Sequence, residues 1–482
     1  MTVRGFVGLQ LIAKSYKRFS RFSRLTPHSL LLAVLSLSPQ LLGTPAVVNA
    51  QWGPDVPLTN SASNRNLSVS TARCVAIDTN GFVHVVWFDH RDGNDEIYYT
   101  RSTDWGVTWG PNVRLTYDSL PSQYPTIAVG ESGLVHVAWE QTKGDSYRVY
   151  YKRSTDSGNT WGSDSLLSDI MTRSADPALA AEGNHVYAVW FEIYVRRVYF
   201  CRSLDGGYTW EAPYILGNAL WMFPSIALGR TGNIHIIDYR FRYIRSSDFG
   251  NTWSRDTFPF GPVVHGYIEA LTNSHLYVVW TDQRGGPWLT AIYFKKSSDG
   301  GINWAPDQGL TQSDSIIKGE PVVAGDTSGR IHVFYSMEPD DVMYVCSTDG
   351  GTTWGPNVAL VPGTGLHPHA SADCRGQIHL VWVDTRSGNQ EIYYKRWQPF
   401  SGVEVSPSHE SRVTSYKVFP NPFTSFTTLP GHETERFALY DISGKRVGTY
   451  RGEKVGSDVP PGVYFLRPTG QYSKPLRVVK VR

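Results

Sequence analysis

The sequence predicts an all-β chain: a seven-bladed β-propeller followed by a small immunoglobulin-like β-sandwich. Three observations predict it. Six segments share the form S-x-D-x-G-x-T-W: Ser102 to Trp109, Ser154 to Trp161, Ser203 to Trp210, Ser246 to Trp253, Ser297 to Trp304 (with Asn303 for Thr) and Ser347 to Trp354. Their aspartates, at 104, 156, 205, 248, 299 and 349, recur at the length of one four-stranded blade. A β-branched and aromatic strand recurs seven times, as Val83-His84-Val85-Val86-Trp87 and again from Val135, Val186, Ile234, Leu276, Ile331 and Ile378. Third, aromatics make up 13% of the 482 residues and charged residues only 18%, with 45 Gly and 29 Pro, which suits turn-rich sheets around an aromatic core and excludes a coiled coil or a disordered chain.

Residues 1–50 read as an export signal. A basic segment ending at Arg24 precedes the apolar run Leu30 to Leu35, and Val48-Asn49-Ala50 suits cleavage before Gln51. Pro39, Gln40 and Pro45 break the run too soon for the ~20 apolar residues of a membrane span. No later stretch is apolar enough to span, so the mature chain is expected to be soluble or tethered by other means.

The repeats then occupy 51–402. Each inner strand is followed by a partner such as Ile97-Tyr98-Tyr99 or Ile392-Tyr393-Tyr394 and then by a box, but the seventh unit stops after Arg396 without one. The missing piece lies at the start: Trp52-Gly53-Pro54-Asp55-Val56-Pro57-Leu58-Thr59 matches Trp109-Gly110-Pro111-Asn112-Val113-Arg114-Leu115-Thr116. The N-terminal strand is therefore expected to join the last blade and close the ring, removing an open edge.

After a polar linker at 403–412, residues 413–482 hold short apolar strands around Val418-Phe419-Pro420-Asn421-Pro422-Phe423, Leu439-Tyr440-Asp441-Ile442-Ser443-Gly444-Lys445 and Pro461-Gly462-Val463-Tyr464-Phe465-Leu466, with turns at Ser443-Gly444 and Pro461-Gly462. This tail resembles the C-terminal sorting domain of the bacterial type IX secretion system. The resemblance implies a secreted or outer-membrane-surface protein of a Gram-negative-type bacterium that meets the type IX machinery. An immunoglobulin-like accessory domain is the alternative.

Charge excludes one partner class. The chain carries +2 overall, yet residues 1–50 hold six Lys/Arg and no acid and residues 403–482 hold twelve Lys/Arg against seven acids, which leaves the repeats at −9. A phosphate-binding surface needs the opposite sign, so nucleic acid is not expected.

The boxes read first as fasteners. Asp and Ser tie the turn's own N–H groups, Gly supplies φ > 0 and Trp buries apolar surface, and every copy keeps all of them. His84, His136, His235, His332 and His379 recur at one strand position and read as blade architecture. Of the four cysteines, only Cys74 and Cys374 fall in adjacent blades, and whether they pair is left open. No spacing suits a metal, and no cofactor is required.

The boxes resemble those of the sialidase superfamily, the bacterial neuraminidase repeats. The resemblance implies a sialidase-like propeller. In that family three arginines, a Tyr nucleophile with a Glu and an Asp acid/base do the chemistry, the first arginine in a Phe-Arg-Ile-Pro motif. This chain lacks the motif; Arg240-Phe241-Arg242-Tyr243 is the nearest string, and seven units stand where sialidases have six. None of the family's catalytic residues is carried over.

Topology places any site on the face opposite the boxes. Loops leading into the innermost strands contribute Arg73, Tyr124, Asp176, Phe223, His265, Tyr267, Glu320, His367 and His369. Turns between second and third strands contribute Asp89, Arg91, Glu140, Glu192, Arg240, Asp282, Arg284, Asp384 and Arg386. The Asp-x-Arg turns are near copies and read as hairpin stabilisers. From the loops, Asp176 and Glu320 are the catalytic candidates and Arg73, Tyr124, Tyr267 and His367 the ligand-binding ones, because carboxylates and forked guanidiniums beside aromatic faces suit a sugar. The expected function is binding of an extracellular glycan or surface protein. An exo-acting glycoside hydrolase of sialidase type with a diverged site is one alternative; a surface scaffold or adhesin without glycan binding is another.

Overall fold

The computed structural model describes residues 52–398 and 424–481, apart from short stretches at 61–64, 68–71, 145, 169–172, 218–222, 230, 239–241, 258–262, 287–288, 327, 430–432, 434–435, 442–444 and 469–475. Residues 1–50 and 403–412, expected as export signal and linker, the Val418–Phe423 motif, the Ser443-Gly444 turn and Arg240 lie outside the described residues. The chain divides into two compact units after Phe400.

In the first unit the described residues form seven antiparallel sheets and no helix. The second sheet is typical: Ser122–Val129, Val135–Lys143, Ser146–Ser154 and Ser165–Leu166 pair in chain order. The recurring strands stand second in each sheet, and five of them carry the repeated histidine. The first strands touch one another in sequence from Val75–Ile77 through to Gly365–Ala372, and the last touches the first, so they form a closed ring. That cyclic arrangement is a β-propeller.

Closure follows the sequence match. Val56 pairs with Tyr394 and Pro57 with Tyr393, so the N-terminal segment is the outer strand of the sheet built from Gly365–Ala372, Ile378–Asp384 and Glu391–Trp397. Gly53 N donates to Arg396 O and Leu58 N to Ile392 O, each at 2.8 Å, as Gly110 does to Arg101 and Leu115 to Ile97 in the first sheet. Thr59 Oγ1 donates to Glu391 as Thr116 does to Glu96. Asp55 bridges Arg386 and Lys395, and the fully buried Arg65 joins Asp89 to Glu391 at 2.7 Å each, across the seam between first and last sheets.

The boxes hold neighbouring sheets together. In the first, Ser102 Oγ bonds Asp104, Gly106 N donates to Ser102 Oγ, and Thr108 donates to Asp104 through both N and Oγ1. The same net recurs in the other five, with the Asn303 amide in place of the threonine hydroxyl. Each box tryptophan then meets, edge to face, an aromatic on the third strand of the preceding sheet: Trp161 on Tyr99, Trp210 on Tyr151, Trp253 on Phe200, Trp304 on Tyr243, Trp354 on Phe294 and Trp109 on Tyr394, at 4.8–5.3 Å between centroids. Trp52 completes the circuit on Tyr344 at 5.4 Å. The box glycine makes room for this contact. At Gly158, φ is +81° and a Cβ would lie 2.0 Å from the Tyr99 hydroxyl oxygen.

The recurring histidines are buried. His84, His136, His235, His332 and His379 each bond the tyrosine hydroxyl of the next strand through Nδ1, at 2.7–2.9 Å. None of the four cysteines forms a disulfide: Cys74 is buried with Sγ 3.5 Å from Pro125 O, and Cys374 is exposed, so the pairing left open by the sequence does not form.

The second unit holds an antiparallel sheet ordered Arg446–Arg451, Arg436–Tyr440, Gly462–Pro468, Leu476–Lys480. Its core comprises Leu429, Phe437, Leu439, Val455, Val459, Tyr464, Leu466 and Val478.

Two outcomes test the interlock. Trp52→Ala removes a buried anchor of the closing strand and is expected to lower unfolding free energy by about 3–5 kcal/mol in urea titrations. Gly158→Ala combines a left-handed backbone with a clash and is expected to cost at least about 2 kcal/mol.

Candidate functional site

Six of the seven positions that lead into the central ring share a backbone state. Tyr124, Asp176, Phe223, His265, Glu320 and His367 all have φ between +50° and +63°. The sequence placed them in loops. Five instead lie within innermost strands, at bulges where the register slips between Gln123 and Thr126, Ala175 and Ala178, Val264 and Gly266, Gly319 and Val322, and Leu366 and His369. Proline explains the slip in four of them: Pro125, Pro177, Pro321 and Pro368 have no N–H for the ladder. Holding a side chain other than glycine at such a φ costs on the order of 1 kcal/mol, and each bulge re-aims one side chain.

Around this ring the chemistry is asymmetric. On sheets two and three, Asp176 N donates to Glu140 Oε2 at 3.4 Å, and both side chains are buried. Glu140 is a correction: the sequence put it in a turn, but the second strand runs on to Lys143, which leaves Glu140 inside the strand beside the bulge. Burial pushes the Asp176 carboxyl up to about 7, against a hydrogen bond from the Phe223 backbone. Burial, then the Asp176 charge, raises Glu140 well above the usual carboxylate range. Tyr124 stands beside them with its phenol raised by burial and by both acids, and its ring meets Phe88 at 5.8 Å.

Sheets five to seven carry the opposite electrostatics. His367 Nδ1 lies 2.6 Å from Glu320 Oε2, and the same oxygen accepts from Ser336 Oγ at 3.1 Å. His367 N donates to Ser336 Oγ at 3.1 Å. Burial works to raise Glu320, but His367 outweighs it and holds the carboxyl at about 2. Conversely Glu320 lifts His367 against its burial. His265 faces this pair, lowered by burial, with its ring 5.2 Å from Phe223.

Deeper in the ring, Arg73 of the first sheet forms an ion pair with Glu269 of the fifth. Tyr267 lies under the guanidinium at 5.8 Å and donates to Glu269 at 3.4 Å. Tyr267 is 2% exposed, and burial raises its phenol. Arg73 and Tyr267 thus meet each other and Glu269, while Asp176, Glu320, Tyr124 and His367 fall into the two arcs described above.

The repeated turns are structural. Arg91, Arg284 and Arg386 donate through Nε to Asp89, Asp282 and Asp384 at 2.8–2.9 Å, and Trp87, Trp280 and Trp382 donate to the same acids. Glu192 accepts from Arg173 N and Ser174 Oγ.

Sequence reasoning missed Glu269, Ser336 and Thr281. A signal existed for the last two: they share with Glu140 the position one residue after the strand's Trp or Tyr, where Glu140 and Ser336 each accept from the amide at the next sheet's bulge.

The chain matches no family model and no curated protein. Solved structures do resemble it. An ulvan lyase of polysaccharide lyase family PL25, bound to -[GlcA(1-4)Rha3S]-, is 12% identical, with 71% of this chain and 95% of that one covered and a TM-score of 0.51. YCF48 bound to a D1 peptide is 16% identical, covering 72% and 99% at 0.46. The Hadza microbial sialidase Hz136 is 15% identical, covering 65% and 73% at 0.40. The likeness to the lyase is one of fold, consistent with the ring of sheets.

Asp176 offers a check on the electrostatics. A carboxyl with a raised folded pKa binds its proton more tightly than in the unfolded chain. Its favourable contribution is complete below the unfolded value and is lost as pH rises through about 7. Asp176→Asn is therefore expected to stabilise the protein at pH 8 by on the order of 3 kcal/mol and to be neutral near pH 4, as read by thermal melts at both.

Proposed function

We propose that this chain is an exported, seven-bladed, sialidase-like propeller that binds an extracellular glycan through the depression ringed by Arg73, Tyr124, Asp176, Phe223, His265, Glu320 and His367. One observation carries the reading. Six equivalent positions, all on strained backbone, hold five residue types with histidine twice, and Ala72 takes the seventh, whereas the box face repeats one chemistry. Architecture alone calls for sameness, as the boxes have it; a ligand without sevenfold symmetry calls for difference. Phe223 and Tyr124 offer aromatic faces for the apolar side of a pyranose, and the acids and histidines offer hydrogen bonds to hydroxyls. Residues 1–50 as signal peptide and 413–482 as an immunoglobulin-like type IX sorting domain would deliver it to the outer surface or the medium.

A sialidase-type hydrolase is the weaker reading. Arg73 is the one arginine beside these ring positions, and Glu269 already neutralises it, so among the described residues they offer no cluster of guanidiniums for a sugar carboxylate. Binding to a glycan array followed by calorimetry tests the proposal. Phe223→Ala is expected to weaken the best ligand about tenfold, as lost aromatic contact of about 1.4 kcal/mol requires. Unchanged affinity in both Phe223→Ala and Tyr124→Ala would remove the central face as the binding site.

A further inference from the structure

The two arcs of the central ring carry carboxyls that their surroundings drive in opposite directions. Glu140 is 3% and Asp176 7% exposed, they are hydrogen-bonded neighbours, and neither has a cationic partner among the described residues. Two adjacent buried carboxyls without a counter-charge cannot both ionise, so the pair retains a proton and is a hydrogen-bond donor. Glu320 is the reverse: His367 sits on it, and Ser336 fixes the same oxygen. A carboxylate only accepts, so the imidazole presents Nδ1–H to Glu320. That leaves Nε2, which no described group bonds, as the proton acceptor once the ring is neutral. Because first strands follow one another around the ring, sheet three, which carries Asp176, stands three places from both sheet six and sheet seven, the largest separation a ring of seven allows.

A third observation lies on the fifth sheet, in the second arc. Thr281 is 3% exposed, and its Oγ1 has no partner among the described residues. It holds the same strand position as Glu140 and Ser336, whose side chains accept from the Asp176 and His367 amides. A buried hydroxyl without a partner on this rim is a place for a ligand's polar group.

We propose that the depression is an acid–base site for glycoside hydrolysis, with Asp176, backed by Glu140, as the proton donor and the Glu320–His367 dyad as the acceptor. This rests on the glycan-binding reading. His367 Nε2 takes a proton from water as the water oxygen bonds the anomeric carbon. The bond from that carbon to the aglycone oxygen breaks, and that oxygen takes the Asp176 proton. Water is the only co-reactant, and the imidazolium proton returns to the carboxylate through solvent. Glu320 stays bonded to the Nδ1–H of His367, so the neutral imidazole and not the carboxylate acts, it acts on water, and the single displacement inverts the anomeric centre. Facing Asp176 are Glu140, Tyr124 and the Phe223 amide; facing His367 are Glu320, His265 and Ser336.

The test uses the full chain and 4-nitrophenyl and 2,4-dinitrophenyl glycosides of hexoses, deoxyhexoses, hexuronic acids and sialic acid, with binding of the same sugars followed by calorimetry. On the substrate turned over, Asp176→Asn is expected to lower kcat at least about 100-fold for the 4-nitrophenyl glycoside. It should retain most activity on the dinitrophenyl one, whose leaving group needs no proton. His367→Asn is expected to lose both alike, and proton NMR should show the inverted anomer first. A retained anomer, equal losses on both leaving groups in Asp176→Asn, or wild-type binding without turnover would overturn the proposal and leave the binding reading standing. Failure of the wild type to bind any sugar would remove both. Should His367→Asn not fold, the leaving-group comparison in Asp176→Asn decides alone.

Discussion

Everything in the first unit depends on one contact repeated around a circle: an indole from one sheet set edge-on against the third-strand aromatic of the sheet before it. Seven such pairs are needed, and the boxes provide six. The seventh indole is Trp52, at the far end of the repeats in sequence and adjacent to the last sheet in space. A ring lacking it would expose two sheet faces and an unpaired edge, and the salt bridges of Asp55 and Arg65 are built across that seam. Circular closure converts local hairpins into a cooperative whole.

Because the periphery carries the mechanical duty, the centre is free to vary. Box aspartates have their oxygens committed to the turn, the repeated histidines to tyrosine hydroxyls and the hairpin arginines to their aspartates. Each of these groups recurs and is satisfied by its own unit. At the bulges the opposite holds: the backbone is the same from sheet to sheet, held at a φ that costs free energy, while the side chains differ.

Burial without a counter-ion and burial with one act on the same chemical group in opposite ways. Asp176 and Glu320 occupy equivalent positions on equivalent backbone, yet one is pushed toward the neutral form and the other held ionised. The difference comes from neighbours one sheet away: Glu140 on the sheet before the first, His367 on the sheet after the second.

The sequence by itself determined the repeat, its count of seven strand copies, the N-terminal segment's part in the last sheet and the ring of positions facing the centre. Each of these is written as a local pattern, alternating strands or a matched octapeptide, and local patterns survive in one dimension. Even the positive-φ positions left a trace, in the prolines after Tyr124, Asp176, Phe223, Glu320 and His367. The tertiary structure alone decided that Arg73 reaches Glu269, that Glu140 leaves its turn for the rim, and that Ser336 and Thr281 belong to the site. Those relations join residues from different sheets, and their distances depend on how the sheets are set around the axis. Pairing partners and proton affinities across a ring follow from that geometry, which no window of the chain contains.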